Sequence, residues 1–445
     1  MTISHCDTLI HAAWVVTQDD SRRILEDAGI AVSNGFISAI GSWEELAPVW
    51  YPKRIVDLTK HLVLPGLINA HTHASMTLMR GLADDLPLME WLTKHIFPVE
   101  QKLTPELVHL GALLACCEMT KTGTTAFCDM YLMEEHVGRA AEEAGLRARI
   151  GEVLFSFPSP AYANQDEAFD LVRSMKERFD GSNRVNTAVM PHSVYTTSPE
   201  LLEKSMELAE ELDIPLNIHL AETQTESQQS IEQHGLRPVP YAAERGLLSK
   251  RTLAAHAVDL TDEEIDLLAK SGTRVCHNPE SNMKLASGIA RVPEMQAAGI
   301  PLSLGTDGAC SNNNLDMFSE MSSCALLQKV HHKDSTLVPA QQVLDMATRG
   351  GACSLDMPQT GYLAKGQAAD LIALNLNTPS LMPMYNPISH LVYAAQGADV
   401  ALTMVGGETL YQDGKFTRID YPALREEIRD AAEFIKKQFE QGKMA

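Results

Sequence analysis

The chain has 445 residues, of which 45% are hydrophobic and 21% charged, and its formal net charge is −22 at pH 7. The two fractions are close to globular averages, which argues against a disordered or fibrous protein. A strongly acidic surface repels phosphate backbones and anionic lipid, so neither nucleic acid nor a membrane is an expected partner.

Both ends of the chain have the pattern of short strands. Asn34 followed by glycine separates two apolar runs near the start, and Asp413 followed by glycine does the same near the end. Both dipeptides are typical of two-residue hairpin turns. We expect residues 1–60 and 361–420 to pair into one small β-sandwich.

The stretch between these ends, residues 61–360, alternates short β-branched runs with longer amphipathic patterns. Eight strand–helix units over about 300 residues are typical of a parallel barrel. The apolar residues of 421–445 recur at helical spacing and predict a C-terminal helix. The sequence therefore predicts an α/β fold, a (β/α)8 TIM-like barrel with a small β-sandwich domain built from both chain ends.

Chemically active side chains stand at the predicted carboxyl ends of the barrel strands, where the active sites of such barrels lie. The first strand ends in H-x-H, the fifth in H-x-x-E and the eighth in G-T-D-G, and the fourth, sixth and seventh end in histidine. One such histidine is more often a core or loop residue, but recurrence in strand after strand points to a site. These residues are His71, His73, His192, His219, Glu222, His256, His277 and Asp307.

Two of these histidines can chelate one ion. His71 and His73 are separated by one residue, so both imidazoles face the same side of an extended strand. His219 and Asp307 reach the same ion only if the strands close into a ring, which a barrel provides. Three histidines and one carboxylate suit Zn²⁺ or Fe²⁺ and do not suit Ca²⁺ or Mg²⁺. We expect one divalent metal ion, with zinc preferred and iron as the alternative.

The motifs resemble those of the amidohydrolase superfamily, and within it the 5-methylthioadenosine/S-adenosylhomocysteine deaminases. The resemblance implies a mononuclear site held by His71, His73, His219 and Asp307. Members with two metals use a bridging lysine around the fourth strand, whereas here that strand ends in His192. The segments that carry the resemblance are LVLPGLINAHTHASMTLMRGLADDLPLMEWL, PHSVYT, IHLAET, AAHAVDL, HNPESNMKL and LGTDGACSNNNLDMF.

The resemblance implies hydrolytic removal of the 6-amino group of an adenosine-type nucleoside. A metal ion brings the pKa of bound water towards 7, and hydroxide can attack a ring carbon that bears an amino group. Glu222, three residues after His219, is the implied proton shuttle. Asp307 would accept a proton from the water, and His256 would orient it. Guanine deaminase and s-triazine hydrolase activities of the same superfamily are the alternatives.

The resemblance also implies substrate contacts. Glu100 matches a glutamate that binds both ribose hydroxyls, since a carboxylate can accept two O–H bonds; its alternative role is a helix-start carboxylate. His192 matches a nucleoside contact, with a loop cap as the alternative. Trp91 would form an apolar wall near the thioether, with core packing as the alternative. Glu222 and Asp307 are expected to touch the substrate as well.

One departure from the family concerns the 5′-group of the substrate. Some members clamp the carboxylate of S-adenosylhomocysteine with arginines after the third strand. Here Glu152 stands in that region, and no arginine or lysine follows before Arg173. A carboxylate then lacks a bidentate partner, which favours 5′-methylthioadenosine, 5′-deoxyadenosine or adenosine. An arginine from a neighbouring subunit is the alternative source of a clamp.

The cellular setting is inferred from the cysteines. The eight cysteines are scattered without a C-x-x-C pair, and the first residues lack a signal-peptide pattern. We therefore expect reduced thiols and a cytoplasmic protein. The β-rich ends and the acidic surface are compatible with a homo-oligomer. A barrel that binds ligands without turnover is disfavoured because the whole set of predicted ligands and proton-transfer residues is present.

Overall fold

The computed structural model describes residues 4–86 and 90–442. Residues 1–3 of the predicted sandwich, residues 87–89, and residues 443–445 of the predicted C-terminal helix lie outside the described residues. In chain order, the strands are β1 (Ser4–Val16), β2 (Ile24–Ser33), β3 (Phe36–Ser42), β4 (Trp50–Pro65), β5 (Leu67–Thr72), β6 (Thr124–Tyr131), β7 (Arg147–Leu154), β8 (Val185–Thr187), β9 (Met190–Pro191), β10 (Leu216–Leu220), β11 (Thr252–His256), β12 (Arg274–His277), β13 (Leu302–Leu304), β14 (Leu371–Asn375), β15 (Val400–Val405), β16 (Glu408–Gln412) and β17 (Lys415–Phe416).

Helices alternate with the central strands. Short 3₁₀ turns occur at Ala74–Met79, Pro379–Leu381 and Gly397–Asp399, and π-helical turns at Trp91–Ile96 and Met346–Gly350. The α-helices are Trp43–Leu46, Phe97–Glu100, Pro105–Lys121, Glu134–Ala144, Gln165–Arg178, Pro199–Glu211, Gln224–His234, Pro238–Glu244, Asp262–Ser271, Pro279–Lys284, Val292–Ala297, Met317–His332, Ala340–Asp345, Gly351–Ser354, Pro387–Tyr393 and Tyr421–Gly442.

Strands from the two ends of the chain form one eight-stranded sheet in the order β17-β16-β15-β14-β4-β1-β2-β3. The two predicted hairpins are present, one between β2 and β3 at Asn34 and Gly35, the other between β16 and β17 at Asp413 and Gly414. All four turn residues have positive φ. Type I′ turns require this conformation, which Asn, Asp and Gly adopt at low cost.

The two ends share one apolar core as well as one sheet. Side chains from N-terminal strands, such as Ile10 and Ile30, lie in the same buried cluster as Leu402 of β15. β14 pairs antiparallel with β4, with Leu371 opposite Pro65. Neither end can therefore bury its apolar face without the other.

Strands β5 to β13 form the barrel. The runs β5-β6-β7-β8 and β10-β11-β12-β13 are parallel, and β9 also pairs with β7. The runs meet where Val189 bridges Leu216, and where the Asp307 N–H donates to the His71 carbonyl at 2.9 Å. β8 and β9 both pair with β7 and together occupy one strand position of the barrel. The ring therefore has eight strand positions. The predicted barrel with a β-domain from both chain ends is confirmed.

The local sequence explains these elements. Every residue of β5, β6 and β10 is buried, as expected for parallel strands covered on both faces. Two of the longer helices begin with a capping hydroxyl followed by proline. Thr104 accepts from the Leu107 N–H and Ser198 from the Leu201 N–H, which satisfies amides that a helix start leaves free.

The helix Tyr421–Gly442 packs against the barrel. Leu424 and Ile435 lie in the same buried cluster as Trp91 and Ile96. None of the described helices has the length and apolar composition needed to span a bilayer.

The predicted domain division stays a prediction. β4 continues through residue 60 to Pro65, so the limit between segments 1–60 and 61–360 falls within a strand.

Candidate active site

The predicted site residues come together in one cavity at the carboxyl ends of the barrel strands. His71 lies behind its wall, with Nε2 3.5 Å from Asp307 Oδ1. The other predicted site residues line the cavity: His73, Trp91, Glu100, His192, His219, Glu222, His256 and Asp307.

Three imidazoles and one carboxylate converge at the base of this cavity. His73 Nε2 lies 3.1 Å from Asp307 Oδ1. The ring centroid of His219 is 4.8 Å from that of His71 and 5.3 Å from that of His73. The donor atoms of these histidines lie within 4.8 Å of one another, as do those of His71, His256 and Asp307. The group could hold one ion.

Backbone carbonyls fix two of the rings. The Nδ1 atom of His219 lies 2.8 Å from the His192 carbonyl, and that of His73 contacts the Met130 carbonyl. A carbonyl only accepts, so Nδ1 carries the hydrogen and Nε2 faces the cavity. Metal-binding histidines are commonly oriented in this way.

The chemistry of the donor set fits a divalent cation. His71 is buried, and its Nε2 has no hydrogen-bond partner among the described residues. Burial lowers the pKa of His71 to about 4 and holds that of His219 well below its usual value. Both rings are therefore neutral at pH 7, the form that binds metal. Burial also lowers the pKa of His73, but Asp307 outweighs burial and raises it to about 9.

Glu222 and His256 stand beside this group. Glu222 follows β10, and the Glu226 carboxylate accepts from the Ala221 and Glu222 amides at 3.1 and 2.7 Å. These bonds fix the turn that projects Glu222 into the cavity. Burial lowers the pKa of His256, but the charges of Glu222 and Asp307 outweigh it and raise that pKa.

Glu100, in the helix Phe97–Glu100, is also buried at the cavity wall. The Tyr131 hydroxyl donates to Glu100 Oε1 at 2.7 Å. Burial raises the pKa of Glu100 to about 7, and the Tyr131 hydrogen bond opposes this rise. Sequence reasoning missed Tyr131; the only signal was its place at the end of β6.

His192 and Trp91 form further parts of the wall. His192 follows β9, and its Nδ1 lies 2.9 Å from the Thr196 hydroxyl. Burial lowers its pKa to about 3, so the ring is neutral. Trp91 is buried in the π-helical turn beside Glu100.

Part of the cavity wall is aromatic. The rings of Phe97 and Phe155 lie 6.2 Å apart at the cavity wall. No arginine or lysine lines the cavity among the described residues. Glu152 is not part of the lining, because it is buried on β7, where it accepts from the Met133 and Glu134 amides.

One of the predicted strand-end histidines lies elsewhere. His277, at the end of β12, is fully buried and does not line the cavity. Five of the six histidines predicted from strand ends therefore lie at the site, and His277 is the exception.

Known proteins are similar to this chain over most of its length. A chain of Nitratidesulfovibrio vulgaris (strain Miyazaki F) named 5-methylthioadenosine/S-adenosylhomocysteine deaminase is 58% identical over 97% of this chain and 98% of its own. The 5′-deoxyadenosine deaminase of Methanothermobacter thermautotrophicus is 46% identical over 85% of this chain and 88% of its own.

A solved structure is similar over nearly the full length. The adenosine deaminase of Xanthomonas campestris with bound zinc superposes with a TM-score of 0.96 at 37% identity, covering 98% of this chain and all of that one. Residues 62–410 match the model of the amidohydrolase family. These residues comprise the barrel and most of the C-terminal strands, so this chain belongs to the amidohydrolase family.

Proposed function

We propose that this chain is a metal-dependent deaminase that converts the 6-amino group of an adenosine-type nucleoside to a 6-oxo group and releases ammonia. The observation that carries the proposal is one cavity with a nitrogen-rich ligand group at its base and the buried Glu100–Tyr131 pair at its side. The names of the two curated relatives and of the zinc-bound structure support it.

The metal ligands would be His71, His73, His219 and Asp307. A bound divalent ion supplies hydroxide at neutral pH by lowering the pKa of water. We propose zinc, supported by the nitrogen-rich ligand set and by the zinc in the related structure. Iron remains the alternative that the same ligands accept.

The remaining site residues would handle protons and orientation. Hydrolysis requires a proton at the ring nitrogen next to C6 and another on the departing amine. Glu222 is the carboxyl group placed to carry both, because its loop projects it into the cavity. Asp307 would accept the proton of the attacking water, and the buried His256 would hold that water in place.

Glu100 favours a nucleoside over the guanine and s-triazine alternatives. Tyr131 occupies Oε1 of its carboxylate, which leaves acceptor capacity for a vicinal diol. Neither a free purine base nor a triazine offers such a diol. If the substrate were a free purine base or a triazine, the buried Glu100 carboxylate would have no substrate hydroxyl to bind.

A nucleoside panel tests the proposal. Purified protein is expected to release ammonia from adenosine, 5′-deoxyadenosine and 5′-methylthioadenosine, with loss of adenine absorbance. Guanine and an aminated s-triazine serve as controls for the alternatives. Faster turnover of either control than of every nucleoside would contradict the proposal.

The aromatic wall, with no arginine or lysine among the described lining residues, predicts the preferred 5′-group. Catalytic efficiency (kcat/KM) on 5′-methylthioadenosine is expected to exceed that on S-adenosylhomocysteine at least about tenfold, because a zwitterion would be desolvated without a cationic partner. Steady-state kinetics on both substrates measures the ratio. Equal or greater efficiency on S-adenosylhomocysteine would contradict the prediction and point to an arginine from a neighbouring subunit.

Replacing Tyr131 is expected to change the pH dependence. Tyr131→Phe removes a hydrogen bond that lowers the pKa of Glu100, so that pKa rises. Diol binding needs the ionised carboxylate, so kcat/KM falls when Glu100 is protonated at low pH. In Tyr131→Phe this fall should begin at a higher pH than in the parent. Tyr241→Phe is the control, since Tyr241 is buried outside the cavity. If the low-pH side of the kcat/KM profile is the same in Tyr131→Phe as in the parent, Tyr131 does not assist diol binding.

We further propose a cytoplasmic enzyme. All eight cysteines lie among the described residues and are free, which supports a reducing compartment. Assembly into a homo-oligomer stays a prediction.

A further inference from the structure

One short segment contacts every proton-handling side chain of the site. Residues 281–287, here called the orienting segment, follow β12 and lie within the motif HNPESNMKLAS. The Ser281 hydroxyl donates to Asp307 Oδ2 at 2.6 Å. Asn282 Oδ1 lies 2.9 Å from His256 Nδ1.

The third contact is made by Ser287, whose hydroxyl donates to Glu222 Oε1 at 3.0 Å. Ser287 and Glu222 are 8% and 7% exposed, so water competes little for this bond. With Oε1 held, Oε2 is the oxygen left to face a substrate. The rotation of the carboxylate is thereby restricted.

A hydroxyl suits a carboxyl group that gains and loses a proton in each turnover. Ser287 can donate to the carboxylate and can accept from the protonated acid, because a hydroxyl is both donor and acceptor. A lysine or an amide N–H could donate to either form but could not accept from the protonated acid. The contact therefore persists through the cycle.

The orienting segment is itself fixed. Ser281 and Asn282 are buried. The Ser287 N–H donates to the Asn282 carbonyl at 2.9 Å, and the Asn282 N–H to the Asn278 carbonyl at 3.0 Å. Ala286 between them adopts the left-handed conformation with φ 53°. Because the segment is anchored at both ends, its side chains hold their partners at fixed positions.

We propose that the orienting segment aligns Glu222, His256 and Asp307 with the substrate, and that Ser287 is the positioning residue for Glu222. The proposal rests on the proposed function for its kinetic consequences. Its structural content, that the Ser287 hydroxyl sets the orientation of the Glu222 carboxylate, does not depend on which substrate is used.

The experiment is a double-mutant cycle between Ser287→Ala and Glu222→Gln. Ser287→Ala is expected to lower kcat roughly 10- to 100-fold with KM changed less than about threefold, because an orientation needed in the transition state is lost. In the Glu222→Gln background the same change should have almost no further effect. Ser287→Thr, which keeps the hydroxyl, should recover most of the activity. Ser205→Ala is the matched control, since Ser205 is buried but donates within its own helix, to the Leu201 carbonyl.

Crystal structures of the Ser287 variants give a readout that does not need activity. The Glu222 carboxylate should leave its position in Ser287→Ala and keep it in Ser287→Thr. An unmoved carboxylate in Ser287→Ala, or an equal loss of kcat in both Glu222 backgrounds, would overturn the proposal. If the parent deaminates no nucleoside, the proposed function fails, and the crystal structures alone decide the role of Ser287.

Discussion

Removal of the metal is expected to abolish at least about 99.9% of the deaminase activity, since the ion is worth several kcal/mol in reactions of this kind. Chelator-treated protein should regain activity with added Zn²⁺ in proportion to its metal content. His71→Ala should give the same loss without chelator, because His71 is a proposed metal ligand whose buried Nε2 has no hydrogen-bond partner among the described residues.

Metal analysis and ammonia release, measured on the same samples, check this expectation. Parallel reconstitution with Fe²⁺ compares the two candidate metals. Full activity in protein shown to be free of metal would end the proposed mechanism.

Glu222→Gln is expected to cut kcat at least about a hundredfold while the metal content stays unchanged. The amide keeps the shape of the side chain and can no longer shuttle a proton. Glu222 is not in the ligand group, so the metal should stay bound.

Glu232→Gln is the matched control, because Glu232 is an exposed glutamate of the helix Gln224–His234. Both variants should be measured for kcat and for bound metal. Turnover by Glu222→Gln at the parent rate would exclude Glu222 from proton transfer.

The barrel and the base of the site could be predicted because the patterns that indicate them lie within short stretches of sequence. The two-residue repeat of a strand places His71 and His73 on one face, and the strand-end motifs mark Glu222 and Asp307. The same reasoning fails for His277. Its position at a strand end says nothing about which way the side chain points.

The residues that sequence reasoning missed act through contacts between distant segments. Tyr131 meets Glu100, and Ser287 meets Glu222, only after the barrel has closed. The sequence suggests that Glu152 lies in a substrate-binding loop. In the structure its carboxylate accepts hydrogen bonds from two backbone amides. No local pattern separates such an anchoring carboxylate from one that faces a ligand.

The pairing of β4 with β14 has a consequence for synthesis of the protein. Leu371 lies opposite Pro65, so the ribosome must translate the whole barrel before this ladder can form. Until then β4 lacks its neighbour and exposes an open strand edge, a template for aggregation. Nascent chains of this protein should therefore depend on chaperones until the last strands emerge from the exit tunnel.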